Sequence, residues 1–549
     1  MTIDEIIEKL LALRGIPSAE IGSFMNPSLN DLAKPEALDG VVEAADVILD
    51  ALAARRKIVV FGDYDCDGVS ATAILVKVLS ALGAAVEPFL PERLTEGYGM
   101  SDLSVARMLK EFPDAGLVVT VDNGINSVEQ IAALKAKGVK VVVTDHHLPG
   151  EELPAADALV NPKVAAPPQL KELCGAGVAF LLANRLVAAA KARGTYTGGS
   201  LGGPLLVLAG LATVTDIMPL LGQNRILVAE ALKHFSSWAP MGLKELHARA
   251  SRTAVSRLTS KDFGFMLGPR INAAGRLKTG MEALELILSD DRDIARELAR
   301  IVDLHNTDRK TIELKMTDEA MAKVVPNASA QLIDLPDGHP GVAGIVAARV
   351  LERLGGTVPV CVLAGGHGSA RAPEGLNIRD AFRACAEYLT TYGGHAAAGG
   401  FGVKEGKVDA FREALCAYCA KMGLSSAITK KTMTADLVLQ PADISLELAE
   451  ALNQLEPYGE GNPEPVFVLC GMRFADVKPL GVEGRHLSVT LATSPRLRGV
   501  WWGHGDKVEA LRAAGIATFD VYFNLVVSDY GERHAELHLV EIKESHDRV

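Results

Sequence analysis

The chain has 549 residues, which is too long for one compact core and predicts roughly three to five domains. Apolar residues make up 48% of the chain and charged residues 23%, a balance that is typical of a folded protein and excludes a disordered or fibrous one. The net charge of -12 argues against indiscriminate coating of nucleic acid, although it leaves room for a local basic groove.

The first residues, MTIDEIIEKLLALRG, carry acids where a targeting segment would carry bases, and they contain no long apolar run. We therefore expect neither a signal peptide nor a membrane anchor. Seven cysteines are too few for a disulfide scaffold in a chain of this length, which favours a reducing compartment. Together these features predict a cytoplasmic protein with no membrane partner.

In chain order, residues 1–45 are predicted to be a helical lead-in that three prolines interrupt. Short apolar, β-branched runs then alternate with helical stretches. The predicted strands are 57–63, 85–90, 117–122 and 139–145. This alternation indicates an α/β domain, over 46–279, with a parallel sheet that helices cover on both faces.

The rest of the chain divides into three further regions. Helix formers with charges at helical spacing predict a long connecting helix over 280–325. Strands return within 326–425, which indicates a second, smaller α/β domain. From 426 to 549 several strands separated by turn signals favour a β-barrel of the OB type over a sandwich.

The first predicted strand runs directly into the sequence DYDCDG, which places Asp63, Asp65 and Asp67 within five residues. Three carboxylates so close together repel one another, so at least one should take up a proton or turn to solvent unless a cation neutralises them. An isolated acidic turn of this kind is equally compatible with a solvated surface loop.

Two other predicted strands also end in acidic or imidazole side chains. LVVTVD ends in Asp122, and VKVVVTD ends in Asp145 and is followed by His146 and His147. Asp216 follows another apolar run that could return to the same edge. Because the carboxyl ends of parallel strands share one edge of the sheet, we expect these side chains to converge.

Carboxylates mixed with imidazoles suit Mn²⁺ or Mg²⁺, whereas thiolate-rich sets suit zinc or iron-sulfur clusters. A two-metal site, which can stabilise the attacking and the leaving oxygen of a phosphoryl transfer, is therefore predicted. Asp122 is the expected bridge because it lies alone at a rigid strand end, and His146 is an expected ligand. His147 could hydrogen-bond the scissile phosphate, act as an acid, or make a purely structural hydrogen bond.

In that order, DYDCDG, VDNG, DHH and TVTDIMPL resemble the motif series of the DHH phosphoesterase superfamily. The stretches GPRINAAGR, GHPGVAGIVAARV, GSARA, GGHAAAGG and NPEPVF narrow the resemblance to the RecJ single-strand-specific DNA exonucleases. The resemblance covers residues from about 45 to past 500 and implies a DHH catalytic domain, a DHHA1 domain at 326–425 and a terminal OB-type domain. The positions that it implies as metal ligands are Asp65, Asp67, Asp122, His146 and Asp216, with Asp63 in support. The predicted catalytic residues are Asp122, His147 and Asp67.

Two groups of residues are candidates for contact with the phosphates of a nucleic acid. GPRINAAGR places Arg270, Asn272 and Arg276 in one segment, near Arg252, Arg257 and Lys261, where small residues would let a phosphate backbone approach. The alternative is a solvated basic face. GSARA and GGHAAAGG place Ser369, Arg371, Gly394 and His395 in Gly-rich turns, which resemble the DHHA1 lobe that closes on the nucleotide end.

In the terminal domain Trp501, Trp502, Tyr522 and Phe523 are candidates for stacking on bases, but alternation along strands assigns about half of them to the core. The resemblance implies removal of nucleotides from single-stranded DNA in the 5′ to 3′ direction, in recombination and repair, with Mn²⁺ or Mg²⁺. It also implies a single-stranded DNA-binding protein and a helicase as partners. Two alternatives are a phosphodiesterase for very short oligonucleotides or cyclic dinucleotides, and a silent scaffold that should have lost its ligands.

Overall fold

The computed structural model describes the chain except residues 252–256, 425–432, 494–495, 516, 530–531 and 546–549. Arg252, one of the predicted basic residues, lies outside the described residues. The helices are α1 (Ile3–Leu13), α2 (Ile21–Met25), α3 (Val41–Ala53), α4 (Cys66–Ala81), α5 (Asp102–Glu111), α6 (Val128–Ala136), α7 (Gly175–Ala192), α8 (Gly202–Thr215), α9 (Gly222–Trp238), α10 (Met241–Ala250), α11 (Gly268–Leu277), α12 (Met281–Leu288), α13 (Arg292–Ala322), α14 (Ala343–Arg353), α15 (Ile378–Ala384), α16 (Val408–Lys421), α17 (Leu446–Leu452) and α18 (Val508–Ala513).

The first sheet is parallel throughout, and its strands follow the order β2-β1-β3-β4-β5. Its strands are β1 (Lys57–Phe61), β2 (Val86–Phe89), β3 (Ala115–Val121), β4 (Lys140–Thr144) and β5 (Ala158–Val160). Alternate residues of β1 enter different cores: Ile58 and Val60 pack on one face, and Val59 and Phe61 on the other. Burial on both faces explains the continuous apolar runs, and the predicted parallel α/β sheet is confirmed.

Helix α7 is the one helix of the described residues that is long and apolar enough to span a membrane. Most of it is buried inside the molecule, where it packs against α4 and α8 in the same core as β1 and β3. Its apolar composition therefore matches that of a core helix.

The stretch predicted as one connecting helix over 280–325 forms two helices, α12 and α13. The break lies before Asp291, whose side chain accepts hydrogen bonds from the N–H groups of Asp293 and Ile294 and so caps the start of α13. An aspartate at this position stabilises a new helix start more than a helix interior. The 31 residues of α13 make the connection to the second sheet.

The second sheet is mixed and follows the order β6-β7-β8-β10-β9. Its strands are β6 (Gln331–Leu335), β7 (Val360–Ala364), β8 (His367–Arg371), β9 (Leu389–Gly394) and β10 (Ala398–Val403). One core joins the sheet to α13 and α14, and a separate core joins it to α15 and α16. This is the smaller α/β domain that the sequence predicts.

The third sheet has seven strands in the order β11-β12-β16-β17-β15-β14-β13. These are β11 (Leu437–Val438), β12 (Phe467–Met472), β13 (Phe474–Leu480), β14 (His486–Leu491), β15 (Arg498–Trp501), β16 (Phe519–Ser528) and β17 (His534–Glu544). Its core contains side chains of α1, including Ile6 and Leu10, packed with Leu448 of α17. The N-terminal lead-in is thus shared: α1 belongs to the core of this last domain, whereas α3 belongs to the core of the first sheet.

Candidate metal centre

Three neighbouring strands of the first sheet deliver the acidic and imidazole side chains to one edge. Asp63 lies two residues beyond β1, Asp122 one residue beyond β3, and His146 two residues beyond β4. Asp216 reaches the same place from the end of a helix, as the C-cap of α8, and not from a strand. The expected convergence of the carboxyl ends of parallel strands is therefore present.

Ligand atoms of these residues form three overlapping groups, and within each group they lie within 4.8 Å of one another. The groups are Asp63, Asp65 and Asp122; Asp67, His146 and Asp216; and Asp122, His146 and His147. The Nε2 atom of His146 lies 3.0 Å from Asp122 Oδ1 and 3.6 Å from a carboxylate oxygen of Asp67. Asp122 takes part in two of the groups, which is the position expected of a bridging ligand.

Several buried atoms of this cluster lack a hydrogen-bond partner of normal geometry among the described residues. They are both carboxylate oxygens of Asp63, Oδ1 of Asp122 and Nε2 of His146. Asp63 is fully buried, and burial together with the charge of Asp65 raises its pKa well above the ordinary value. Burial and the neighbouring carboxylates raise the pKa of Asp122 in the same way. Unpaired buried oxygens are costly, so this donor set fits a hard divalent cation.

Asp65 and Asp67 are held in place by backbone N–H groups. Asp65 Oδ1 caps α4 by accepting hydrogen bonds from the N–H groups of Asp67 and Gly68. The two oxygens of Asp67 accept from the N–H groups of Gly175 and Ala176, both at 2.7 Å, at the start of α7. These bonds orient both carboxylates, and lone pairs remain for a cation on Asp65 Oδ2 and on each oxygen of Asp67.

Glycine is required at position 68 because a Cβ atom there would lie 2.6 Å from the backbone of Asp63. The tight turn between β1 and α4 depends on this close approach, and it brings Asp63 and Asp65 to the same side. The sequence signal DxDxDG therefore specifies a compact turn as well as a set of charges.

His147 is fixed by a buried carboxylate that is not itself available to a metal. Asp145 Oδ1 accepts a hydrogen bond from His147 Nδ1 at 2.7 Å, and its Oδ2 accepts from the N–H of Ile125. Burial opposes protonation of His147, but Asp145 overcomes it and raises the pKa of the imidazole to about 9. The Nε2 atom of His147 lies 3.0 Å from the hydroxyl of Tyr98.

Arg276 and Arg371, both predicted phosphate contacts, lie close to a third arginine that the sequence motifs did not single out, Arg93. Burial and the charges of Arg93 and Arg371 lower the pKa of Arg276 to about 10. Arg276 donates to the carbonyl of Gly341 and Arg371 to that of Ala370, and within the described chain no ion pair joins a carboxylate to these three guanidinium groups, which we call the arginine triplet. Arg93 follows β2, so its place at the sheet edge was available as a signal.

The smaller domain also reaches the acidic cluster. The ring of His395 stacks parallel to that of His147, with 6.2 Å between their centroids. Gly394 ends β9 with a φ of 126°, and Ser369 lies half-buried in the middle of β8, two residues before Arg371. The domain of the first sheet and the domain of the second sheet thus both contribute to the site. The first supplies the acidic cluster, and the second supplies Arg371 and His395.

The other predicted basic residues are engaged elsewhere. The guanidinium of Arg270 pairs with Asp303 at 2.9 Å and donates to the carbonyl of Met266. Arg257 and Lys261 pair with Glu456 and Glu464 in the approach to the last domain. The structure therefore does not bring these three side chains to the acidic cluster.

Asn272, a predicted phosphate contact, makes a hydrogen bond within the protein. Its Oδ1 accepts a hydrogen bond from the N–H of Cys66 at 2.7 Å. The side chain therefore supports the acidic turn between Asp65 and Asp67. Of the four aromatic residues of the last domain, Phe523 is fully buried, Trp501 and Tyr522 are half-buried, and Trp502, one residue beyond β15, is half exposed.

Comparison with known proteins gives three family models that match in the order of the three sheets. They are the DHH family, N-terminal domain, over residues 57–198; the DHHA1 domain over 327–421; and the RecJ OB domain over 435–541. The single-stranded-DNA-specific exonuclease RecJ of Dickeya dadantii is 36% identical over 524 residues, which cover 91% of this chain and 89% of that protein. The chain belongs to the RecJ family.

Other members of the RecJ family are longer than this chain. The relative from Thermus thermophilus is 39% identical over 87% of this chain and 68% of its own length, and the one from Bacillus subtilis is 33% identical over 93% and 64%. The chain thus spans about two thirds of these relatives. A crystal structure of the Thermus thermophilus RecJ in complex with Mn²⁺ matches with a TM-score of 0.82 at 34% identity, over 98% of this chain and 76% of that one.

Proposed function

We propose that this chain is a metal-dependent exonuclease that hydrolyses the phosphodiester bonds of single-stranded DNA in the 5′ to 3′ direction, in DNA recombination and repair. The RecJ relatives are named as exonucleases specific for single-stranded DNA. The observation that carries the proposal for this chain is the buried cluster whose carboxylate and imidazole atoms lack partners. A structural acidic patch would satisfy these atoms with hydrogen bonds.

The proposed ligands fall into two half-sites that share Asp122. Asp63 and Asp65 form one half-site, and Asp67, His146 and Asp216 form the other. Mn²⁺ or Mg²⁺ held by these residues would supply positive charge to the phosphoryl oxygens of the scissile bond. One crystal structure of the Thermus thermophilus RecJ is a complex with Mn²⁺, and another is a complex with Mg²⁺.

His147 is the proposed proton donor or phosphate ligand. Asp145 holds its Nδ1, so its Nε2 is directed away from Asp145 and towards the cleft where Tyr98 lies. With its raised pKa the imidazole is protonated at neutral pH and can donate a hydrogen bond to a phosphate oxygen or a proton to a leaving oxygen. Asp122 and Asp67 complete the proposed catalytic set.

The arginine triplet is proposed to bind the terminal phosphate of the strand. Three guanidinium groups without a carboxylate partner among the described residues form a site for a multiply charged anion, and Ser369, Gly394 and His395 are proposed to contact the same anion. A pocket for an end phosphate next to the cleavage site explains why an exonuclease is favoured over an endonuclease. Asn272 is proposed to contribute indirectly to phosphate binding, by supporting the acidic turn between Asp65 and Asp67. Arg270 is proposed to contribute through its position on α11, the helix that also carries Arg276.

We propose the domain division of the sequence with one change. The catalytic domain covers 46–279, the connecting region 280–325, the DHHA1 domain 326–425 and the OB domain 426–549; α1 joins the OB domain through its core. The half-exposed Trp502 of this domain is proposed to stack on bases.

A cytoplasmic location is supported by seven free cysteines. A single-stranded DNA-binding protein and a helicase are proposed partners.

The test is digestion of DNA labelled at the 5′ or the 3′ end, single- or double-stranded, with Mn²⁺, with Mg²⁺ and with a chelator. We expect metal-dependent loss of the 5′ label first, as mononucleotides, from single strands only. Dinucleotides and cyclic dinucleotides serve as competing substrates. Intact single strands after incubation with Mn²⁺, or faster turnover of dinucleotides than of long strands, would contradict the proposal.

A further inference from the structure

Ile217 occupies a backbone position that glycine normally takes. Helix α8 ends in a Schellman motif, in which Ile217 N–H donates to Val214 O at 3.2 Å and Met218 N–H donates to Thr213 O at 3.1 Å. The residue at the centre of this motif has a left-handed conformation, here with a φ of 57°. Glycine or asparagine is usual there, since a Cβ atom is penalised and a β-branched side chain most of all.

Packing within the chain does not offset this strain. The Ile217 side chain is 71% exposed. Met218, the next residue, packs against the main core. The strained backbone at Ile217 therefore lowers the stability of the free protein, and its exposed side chain gains too little burial to offset that cost.

The position of Ile217 relates it to the acidic cluster. It directly follows Asp216, whose Oδ2 lies 3.6 Å from His146 Nε2. Leu148, which directly follows His147, is also exposed, at 61%. Two exposed aliphatic residues from separate loops thus directly follow members of the acidic cluster in the sequence.

We propose that Ile217, assisted by Leu148, contacts the faces of unpaired bases on either side of the bond that is cut. This inference rests on the proposed function, because it assumes that a single strand lies over the acidic cluster. The bases attached to the sugars next to the bound phosphate are then the apolar groups nearest to these side chains. An aliphatic contact suits every base, and it is available only where bases are neither paired nor stacked in a duplex.

The chain provides a matched control for the strain. Helix α3 ends in the same Schellman motif, in which Arg55 has a φ of 53°, its N–H donates to Leu52 O, and the N–H of Arg56 donates to Ala51 O. Arg55 is exposed and belongs to no part of the proposed site. Arg55→Gly relieves the same kind of backbone strain without touching the cleft.

The experiment compares kcat/KM for a normal single strand with kcat/KM for a strand whose two 5′-terminal nucleotides are abasic. In the wild type and in Arg55→Gly we expect the normal strand to be preferred about fivefold, as burial of one to two methylene groups would give. In Ile217→Gly and Ile217→Asn the preference should fall below about twofold, and Ile217→Val should restore it. Asparagine is included because it accepts a left-handed φ and keeps the loop less flexible than glycine does.

Thermal unfolding of the same variants checks the strain. Ile217→Gly and Arg55→Gly should unfold at or above the wild-type temperature, because both remove a left-handed residue that carries a Cβ. A lower unfolding temperature for Ile217→Gly alone would show that the side chain stabilises the folded chain, and it would contradict the proposal.

The kinetic measurements distinguish the proposed contact with bases from the proposed exonuclease activity. An unchanged preference for the normal strand in a stable Ile217→Gly variant would overturn the contact with bases while leaving the exonuclease in place. A wild-type protein that leaves single strands uncut would instead refute the proposed function, and the inference with it.

Discussion

Asp122 and Asp145 are buried aspartates at the ends of neighbouring strands, and they have opposite environments. Both oxygens of Asp145 accept hydrogen bonds, and the His147 side chain lowers its pKa despite burial. Asp122 has an unpaired oxygen, a raised pKa and a left-handed φ of 61°. Burial therefore does not distinguish these two aspartates, whereas the oxygen of Asp122 without a hydrogen-bond partner does.

The largest expected effect comes from removing the shared ligand. Asp122→Ala should lower kcat on single-stranded DNA by at least about a thousandfold, because both half-sites lose a carboxylate and several kcal/mol of charge stabilisation. Initial rates with saturating Mn²⁺ measure this. Asp114→Ala, at the opposite end of β3 and exposed, should keep the wild-type rate. Near-normal activity of Asp122→Ala would refute the bridging role.

Asp145 should matter through His147 alone. Asp145→Asn removes the charge that holds the imidazole, so kcat should fall about ten- to a hundredfold while Mn²⁺ affinity, measured by calorimetry, changes little. Asp157→Asn is the control, because Asp157 also accepts a backbone N–H, that of Val141, away from the cluster. Loss of metal affinity in Asp145→Asn would mean that this carboxylate is a ligand after all.

The arginine triplet should act on binding more than on turnover. Arg93→Ala should raise KM for 5′-phosphorylated single strands about ten- to a hundredfold, the loss of one or two charge-assisted hydrogen bonds, with a smaller effect on 5′-hydroxyl strands. Steady-state kinetics on both substrates gives the comparison. Arg383→Ala, whose exposed side chain pairs with Asp380, is the control. Equal effects on the two strands would argue against a pocket for the end phosphate.

The smallest effect concerns the stability of the metal-free protein. Because the pKa of Asp122 is raised in the folded chain, the unfolded chain loses this proton first as pH rises, and the free energy of unfolding falls. Asp122→Asn has no such proton to lose. In the presence of a chelator its unfolding temperature should exceed that of the wild type by about 3 °C at pH 8, and the difference should shrink towards pH 4. Added Mn²⁺ should reverse the order.

The sequence predicts the sheet and the acidic cluster well for a physical reason. Strands such as β3 are buried on both faces, so every residue carries the signal, and the shared edge of a parallel sheet then brings Asp63, Asp122 and His146 together. Asp216 lies at the end of helix α8, so the shared edge of the parallel strands does not explain its position. The apolar segment before Asp216 is this helix, and it ends at the same edge of the sheet.

The basic residues were harder to predict. Arg270 and Arg276 lie in one short motif, but Arg270 faces Asp303 on α13 and only Arg276 faces Arg93 and Arg371. The group that each arginine contacts depends on the tertiary fold, and the local sequence carries no information about it. The break before α13, in contrast, has a local signal in the sequence, because Asp291 is a typical N-cap residue. The helical periodicity on both sides of Asp291 led to the prediction of one continuous helix.

The packing of α1 against α17 has a consequence for how the chain is made. Leu10 of α1 and Leu448 of α17 belong to the same core although they lie far apart in the sequence, so α1 cannot reach its native packing before α17 has been synthesised. Until then the apolar face of α1 is exposed, and a chaperone that shields apolar segments of nascent chains would speed folding without altering the native structure.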